Sequence, residues 1–94
     1  MKNAVSIVTC GSYDEIDVLK GLQRAIDLIG GIETFVRPKN RVLLKPNLLY
    51  GKSPEKAVTT HPSIMKGMIA IVREAGGLPF IGDSPSFFQL NQLV

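Results

Sequence analysis

Length, composition and charge restrict the classes of protein to which this chain can belong. It has 94 residues, of which 45% are hydrophobic and 20% charged, so it can form one domain at most. No run approaches the ~20 apolar residues of a membrane span, no secretory signal is visible, and a net charge of +3 does not by itself indicate nucleic acid. The single cysteine, Cys10, fits a reducing compartment, and we expect a cytoplasmic protein.

The first third of the chain predicts a strand followed by a helix. Residues 4–8 form a short apolar run rich in β-branched side chains, which is typical of a strand. From Ile16 to Ile29, apolar residues recur at spacings of three and four, as on one face of a helix. Gly30 and Gly31 then end the helix, because glycine accepts the left-handed conformation found there.

The middle of the chain predicts a turn and a second strand. Asn40 suits the turn, since asparagine tolerates positive φ better than most residues. Residues 42–44 follow as a continuously apolar run, which is typical of a strand covered on both faces. Pro46 ends it.

The last third predicts a helix, a strand and the start of another helix. Pro62 suits the first position of a helix, where its missing N–H costs nothing. Gly76 and Gly77 end this helix as the earlier pair ends the first. Residues 78–81 form a third short strand, and Pro85 could open a third helix.

The predicted fold class is therefore α/β. The order β-α-β-α-β indicates three layers around a parallel sheet, in which residues 1–94 form a single α/β unit. Three parallel strands leave two open edges, and the chain stops within an apolar stretch that includes Phe87, Phe88 and Leu90. We therefore expect an incomplete, N-terminal piece of a larger Rossmann-like domain. Its partners would be the rest of the parent chain, or copies of itself, through the open edges.

Polar residues that could bind a ligand or take part in a reaction cluster where the predicted strands end. This edge is where open α/β sheets bind ligands. Lys45 could hold an anion, and Asn47 offers both a donor and an acceptor. His61 could act as acid, base or helix cap, and Asp83 could orient a hydroxyl or cap a helix. The candidate ligand-binding residues are Lys45, Asn47, Thr60, His61, Asp83 and Ser84.

Several other kinds of site are disfavoured by the residues. One histidine without companion ligands predicts no metal site. Cys10 has no adjacent base and is expected to be a buried, inert thiol. Neither G-x-G-x-x-G nor G-x-x-x-x-G-K-[ST] is present, so the nucleotide-phosphate fingerprints are missing. The basic stretch from Arg37 to Lys56 favours a small anionic ligand; its one aromatic residue, Tyr50, argues against nucleic acid.

Four blocks in order, at residues 42–49, 59–62, 74–77 and 82–85, resemble the N-terminal portion of domain-of-unknown-function family 362. Asn40 stands where the family pattern would have glycine. The resemblance implies a longer α/β parent whose activity is not established and which often carries a cysteine-rich iron–sulfur segment.

What the resemblance implies for cofactor and function is limited. Cys10 alone cannot hold a four-cysteine cluster, so we expect no cofactor in this fragment and a cluster, if any, in the full-length parent. The expected function is a redox-linked, iron–sulfur-associated protein acting on or binding an anionic small molecule. The alternative is a non-catalytic small-molecule binding module, and the residues do not decide whether the chain is an enzyme.

Overall fold

The computed structural model describes residues 3–46, 60–83 and 86–89. Two helices and three strands make up most of this part of the chain, and the predicted α/β class is confirmed. In chain order the elements are α1 (Glu15–Asp27), a 3-10 helix (Ile32–Thr34), β1 (Arg41–Leu44), α2 (Pro62–Glu74), β2 (Leu78–Asp83) and β3 (Ser86–Gln89).

Helix α1 is amphipathic and packs mainly against α2. Acidic residues occupy its first turn and Arg24 its last, which complements the helix dipole at both ends. The two helices approach closely at Gly67, where an added Cβ would lie 2.6 Å from the Cδ1 atom of Leu22. Val18, on the inner face of α1, is buried in the resulting contact.

Helix α2 lies between α1 and the sheet, and it carries most of the small core. Ile71 and Val72 are buried, and Val36, from the loop after the 3-10 helix, is buried as well. The burial of these three apolar side chains is the main contribution to the stability of the described fold.

The sheet has the order β1-β2-β3. Strands β1 and β2 are parallel, with Arg41 opposite Leu78 and Leu44 opposite Ile81. Since α2 connects them along the chain, β1, α2 and β2 form the predicted βαβ unit.

Two predicted elements are wrong. Residues 4–8 do not join the sheet, and Val5 and Ile7 are each 87% exposed. The predicted third helix is also wrong, because Ser86–Gln89 is strand β3, antiparallel to β2. In both places local pattern was outweighed by the availability of a pairing partner: β2 offers β3 a ladder, whereas residues 4–8 lie along α1 instead.

The sheet is covered on one face only, within the described residues. Val42 and Leu44 are half-buried, whereas Arg41 and Leu43 on the other face are exposed. The prediction that both faces of this strand are covered is wrong, because α1 packs on α2 rather than across the sheet.

The turn before β1 differs in one detail from the prediction. The residue with positive φ is Lys39, at 69°, and not Asn40. Asn40 stabilises the turn in another way, since its Oδ1 accepts a hydrogen bond from the Arg37 N–H at 2.8 Å. Short polar side chains commonly stabilise turns in this manner.

The end of α2 is joined tightly to the start of both parallel strands. The Lys39 N–H donates to the Gly76 carbonyl at 2.8 Å, and the Leu78 N–H donates to the Asn40 carbonyl at 2.7 Å. Gly76 has a φ of +87°, and an added Cβ would lie 3.2 Å from the Cα atom of Pro38. Glycine is therefore required here both by conformation and by space.

Replacing Gly76 by alanine should lower the free energy of unfolding by about 1–3 kcal/mol, because the side chain would be strained and would press on the backbone at Pro38. Gly11→Ala is the matched control, since nothing lies within 4 Å of its added Cβ. Denaturant unfolding of both variants measures the difference, and equal midpoints would contradict the expectation.

Candidate functional site

The two parallel strands end at the same edge of the sheet, which we call the carboxyl edge. Leu44, the last residue of β1, pairs with Ile81, and β2 continues two residues further to Asp83. Lys45 follows β1 directly and is exposed. Lys45 therefore lies just beyond the end of β1, whereas Asp83 is itself the last residue of β2 and its backbone pairs with Ser86 of β3.

Helix α2 begins near the same edge. Its 13 residues span about 20 Å, close to the length of the six-residue strand β2. Because its last turn is tied through Gly76 to the opposite edge, its first residue, Pro62, is carried toward the carboxyl edge. The residues just before it, Thr60 and His61, are both half-buried.

The other candidate residues are described less completely. Asn47 and Ser84 lie outside the described residues, and of Asp83 only the backbone is described. The convergence of all six side chains on one ligand therefore stays a prediction. The strand register and the start of α2 bring the described ones toward the same edge of the sheet.

His61 caps helix α2. Its Nδ1 accepts a hydrogen bond from the Ser63 N–H at 3.1 Å and lies 3.0 Å from the Ser63 hydroxyl. Ser63 is buried, so these bonds satisfy polar groups that have left water. While Nδ1 accepts, the neutral ring carries its proton on Nε2. His61 can therefore offer a ligand a donor at Nε2 while its other nitrogen serves the helix.

Tyr13 stacks on His61, and this contact was not anticipated from sequence. The two rings lie 4.1 Å apart between centroids, with planes only 6° from parallel. The stack brings the loop after residues 4–8 to the start of α2. Tyr13 ends the polar loop that follows the strand-like residues 4–8, but sequence spacing alone could not pair its ring with that of His61.

A cavity of about 530 Å³ opens beside this stack, between the N-terminal segment and the two helices. Its walls include Cys10, Tyr13, Val18 and Ile64. Cys10 is exposed, so the expectation of a buried thiol is wrong. Its thiol donates to the Ser12 carbonyl at 3.2 Å, and a second cavity that Cys10 lines also includes Asp17, Lys20 and Arg24.

The first backbone amides of α2 are already occupied. Pro62 has no N–H, the Ser63 N–H donates to His61, and the Ile64 N–H donates to the His61 carbonyl at 3.0 Å. An anion at this edge would thus gain only the partial charge of the helix start, without direct amide donors. Lys45 is the described side chain at this edge that brings a full positive charge.

The described part of the basic stretch does not form one surface. Arg37 and Lys39 precede β1 at the edge opposite to Lys45, and Arg41 lies over the Phe80 ring with 5.1 Å to its centroid. A continuous basic stripe, which nucleic-acid binding would favour, is not formed by these four residues.

Neither a metal centre nor a membrane span is found in the described part of the chain. Within it, no three side chains among His, Cys, Asp and Glu come together as metal ligands. Likewise, the described helices include none that is long and apolar enough to cross a bilayer.

Comparison with known proteins places the chain in a family. Residues 42–93, more than half of the sequence, match the family described as "Domain of unknown function (DUF362)". The chain belongs to this family. All six candidate ligand-binding residues lie within the matched part, whereas Tyr13 and Cys10 precede it.

A longer relative of this DUF362 chain is a thylakoid-associated protein of Synechocystis sp., 42% identical over 87 residues. These residues are 93% of the chain but 27% of the relative, so the chain spans about a quarter of that protein's length. No solved structure is significantly similar to the chain.

Replacing His61 by alanine should lower the free energy of unfolding by about 1–2 kcal/mol, through loss of the cap and of the ring stack. His61→Asn should recover the capping share, since asparagine offers an acceptor at the same helix position. Thermal or denaturant unfolding of the two variants, with Tyr13→Ala to measure the stack alone, separates the two effects. Equal losses in the alanine and asparagine variants would contradict a capping role.

Proposed function

We propose that this chain is the N-terminal portion of a longer DUF362 protein and that its carboxyl edge binds a small anionic molecule. The observation that carries the proposal is the exposed Lys45 directly after β1, beside the end of the parallel strand β2 and near the start of α2. A lysine ammonium is a compact charge with three donors, which suits phosphate or carboxylate groups.

Four further groups at the same edge support the proposal. The partial positive charge at the start of α2 adds to that of Lys45. The Nε2 of His61 offers a donor, and Asp83 would orient a hydroxyl of the ligand or hold a cation that accompanies it. Asn47 would add a donor and an acceptor.

Binding is supported better than catalysis by these residues alone. Nδ1 of His61 is used by the helix cap, and Cys10 bonds to a carbonyl rather than to a base. A nucleophile paired with its base is thus not formed by these two residues. In the proposal the N-terminal portion holds the ligand, and any redox-linked reaction needs groups from the rest of the longer protein.

An iron–sulfur cluster does not fit this chain. Cys10 is its one cysteine, and a cluster of the ferredoxin type takes four thiolates. If the longer protein carries a cluster, the ligands come from other residues. The alternative for the whole protein is a binding module without chemistry.

We also propose a cytoplasmic location, because an exposed single thiol fits a reducing compartment. The relative's name, which associates that protein with thylakoids, suggests peripheral attachment to a membrane as the alternative. Flotation of the chain with lipid vesicles would separate the two.

Inorganic phosphate is a suitable first probe for the proposed site. Titration to millimolar concentrations, followed by amide chemical shifts, should move the signals of Lys45 and Gly82 most. Lys45→Ala should weaken this binding by about tenfold to a hundredfold, since a hydrogen bond to a charged group contributes about 1.5–3 kcal/mol.

The control for that substitution is Lys39→Gly, which removes the same charge at the opposite edge and suits the positive φ of that position. It should leave phosphate binding unchanged. Binding that survives Lys45→Ala, or that is lost equally in Lys39→Gly, would count against the proposed site.

Purified chain should contain no stoichiometric iron or sulfide, because it lacks the thiolates for a cluster. Metal and acid-labile sulfide analysis after aerobic and anaerobic purification measures this. One cluster per monomer would refute the assignment of cluster ligands to other parts of the longer protein.

A further inference from the structure

The N-terminal segment, residues 3–9, has the alternating side-chain exposure of a β-strand, but no other strand pairs with it in the described structure. Val5 and Ile7 are each 87% exposed, while Ser6 and Val8 between and after them are half-buried. This alternation has the period of two that marks a β-strand with one covered face. The residues that form it are also those whose β-branched side chains predict a strand.

Side-chain bonds hold this segment to α1. The Ser6 hydroxyl donates to the Ala25 carbonyl at 2.7 Å, and the Arg24 guanidinium donates to the Thr9 carbonyl at 3.1 Å. Both of these bonds come from side chains, and no backbone–backbone hydrogen bond joins residues 3–9 to another described residue. The backbone donors and acceptors of residues 4–8 therefore have no partner among the described residues and are available to a sheet partner.

Strand β1 offers a sheet edge that needs such a partner. It lies at one end of the order β1-β2-β3, so one side of its backbone is unpaired in the described sheet. Next to this edge, Leu43 is 55% exposed and Leu78 50% exposed on the uncovered face. An open edge beside an apolar face is a site at which further strands add.

We propose that residues 4–8 of one copy add as an antiparallel strand to the open edge of β1 in a second copy. Val5 and Ile7 would then extend the exposed apolar row of Leu43 and Leu78. Ser6 and Val8 would remain against α1 of their own copy, on the side where α2 covers β1.

Charge complementarity favours a second copy in this orientation. The segment leads into exposed acidic residues, Asp14, Glu15 and Asp17. Exposed basic residues lie at the start of β1: Arg37 and Lys39 precede the strand, and Arg41 is its first residue. Antiparallel addition carries the acidic end of one copy toward the basic end of the other, whereas parallel addition carries it away.

Reciprocal addition fills both sites at once. If each copy gives its segment and receives its partner's, a twofold axis relates the two contacts and the assembly closes as a dimer. This surface is separate from the proposed anion site, because it uses the open side of β1 and not Lys45.

The full 94-residue chain should therefore form a dimer whose dissociation constant can be measured by sedimentation velocity or light scattering over a range of concentrations. Ile7→Lys should raise that constant at least tenfold without changing the circular dichroism, because Ile7 is exposed in the monomer. Its melting temperature should also be unchanged at concentrations at which both chains are monomeric. Leu28→Lys, the same change at a residue that is 67% exposed at the end of α1, should leave the dimer intact.

A photo-crosslinking residue at position 7 tests the site directly. In a mixture of isotopically labelled and unlabelled chains, it should join residues 41–44 of the other copy. A chain that stays monomeric at all concentrations, cross-links to other surfaces, or a dimer insensitive to Ile7→Lys would each overturn the proposal.

Discussion

Everything at the carboxyl edge depends on the close junction at the opposite edge. There the chain leaving α2 passes Pro38 so closely that Gly76 has no room for a side chain, and the Lys39 and Leu78 amides bond across the gap. This junction sets β2 beside β1 in parallel register. With the end of α2 held, the helix length decides where its first residue lies, and this brings His61 toward the strand ends. The junction contains none of the candidate site residues, but it determines where the candidate site lies.

His61 connects stability with the proposed binding. One ring nitrogen satisfies the buried start of α2, and the ring face packs on Tyr13. A side chain held by two such contacts has little freedom to lose when a ligand arrives, which lowers the entropic cost of binding. The same contacts leave Nε2 as the group through which the ring could meet a ligand. A capping role and a binding role are thus compatible in one residue.

The helices cover only one side of the described sheet, and its other side is therefore exposed. The described core is small: Val18, Val36, Ile71 and Val72 are its buried apolar side chains. Both helices contribute to one side of the sheet, with α1 stacked outside α2, so the other side keeps apolar residues in contact with water. Membership of a family whose relative is several times longer is consistent with further contacts for such surfaces. A second copy of the chain could provide them through residues 4–8.

The sequence by itself determined those features that depend on neighbours along the chain. Periodicity placed both helices, glycine placed their ends, and β-branched or apolar runs placed β1 and β2, because each signal is a property of a few consecutive residues. The ends of the parallel strands also predicted a shared ligand site for Lys45 and Asp83, which stays a prediction. Tertiary structure alone decided whether a strand-like run finds a partner: residues 4–8 did not, whereas the residues after Pro85 paired with β2. It also decided the Tyr13–His61 stack, the exposure of Cys10 and the positive φ at Lys39. These depend on contacts between distant segments, whose geometry no local pattern encodes.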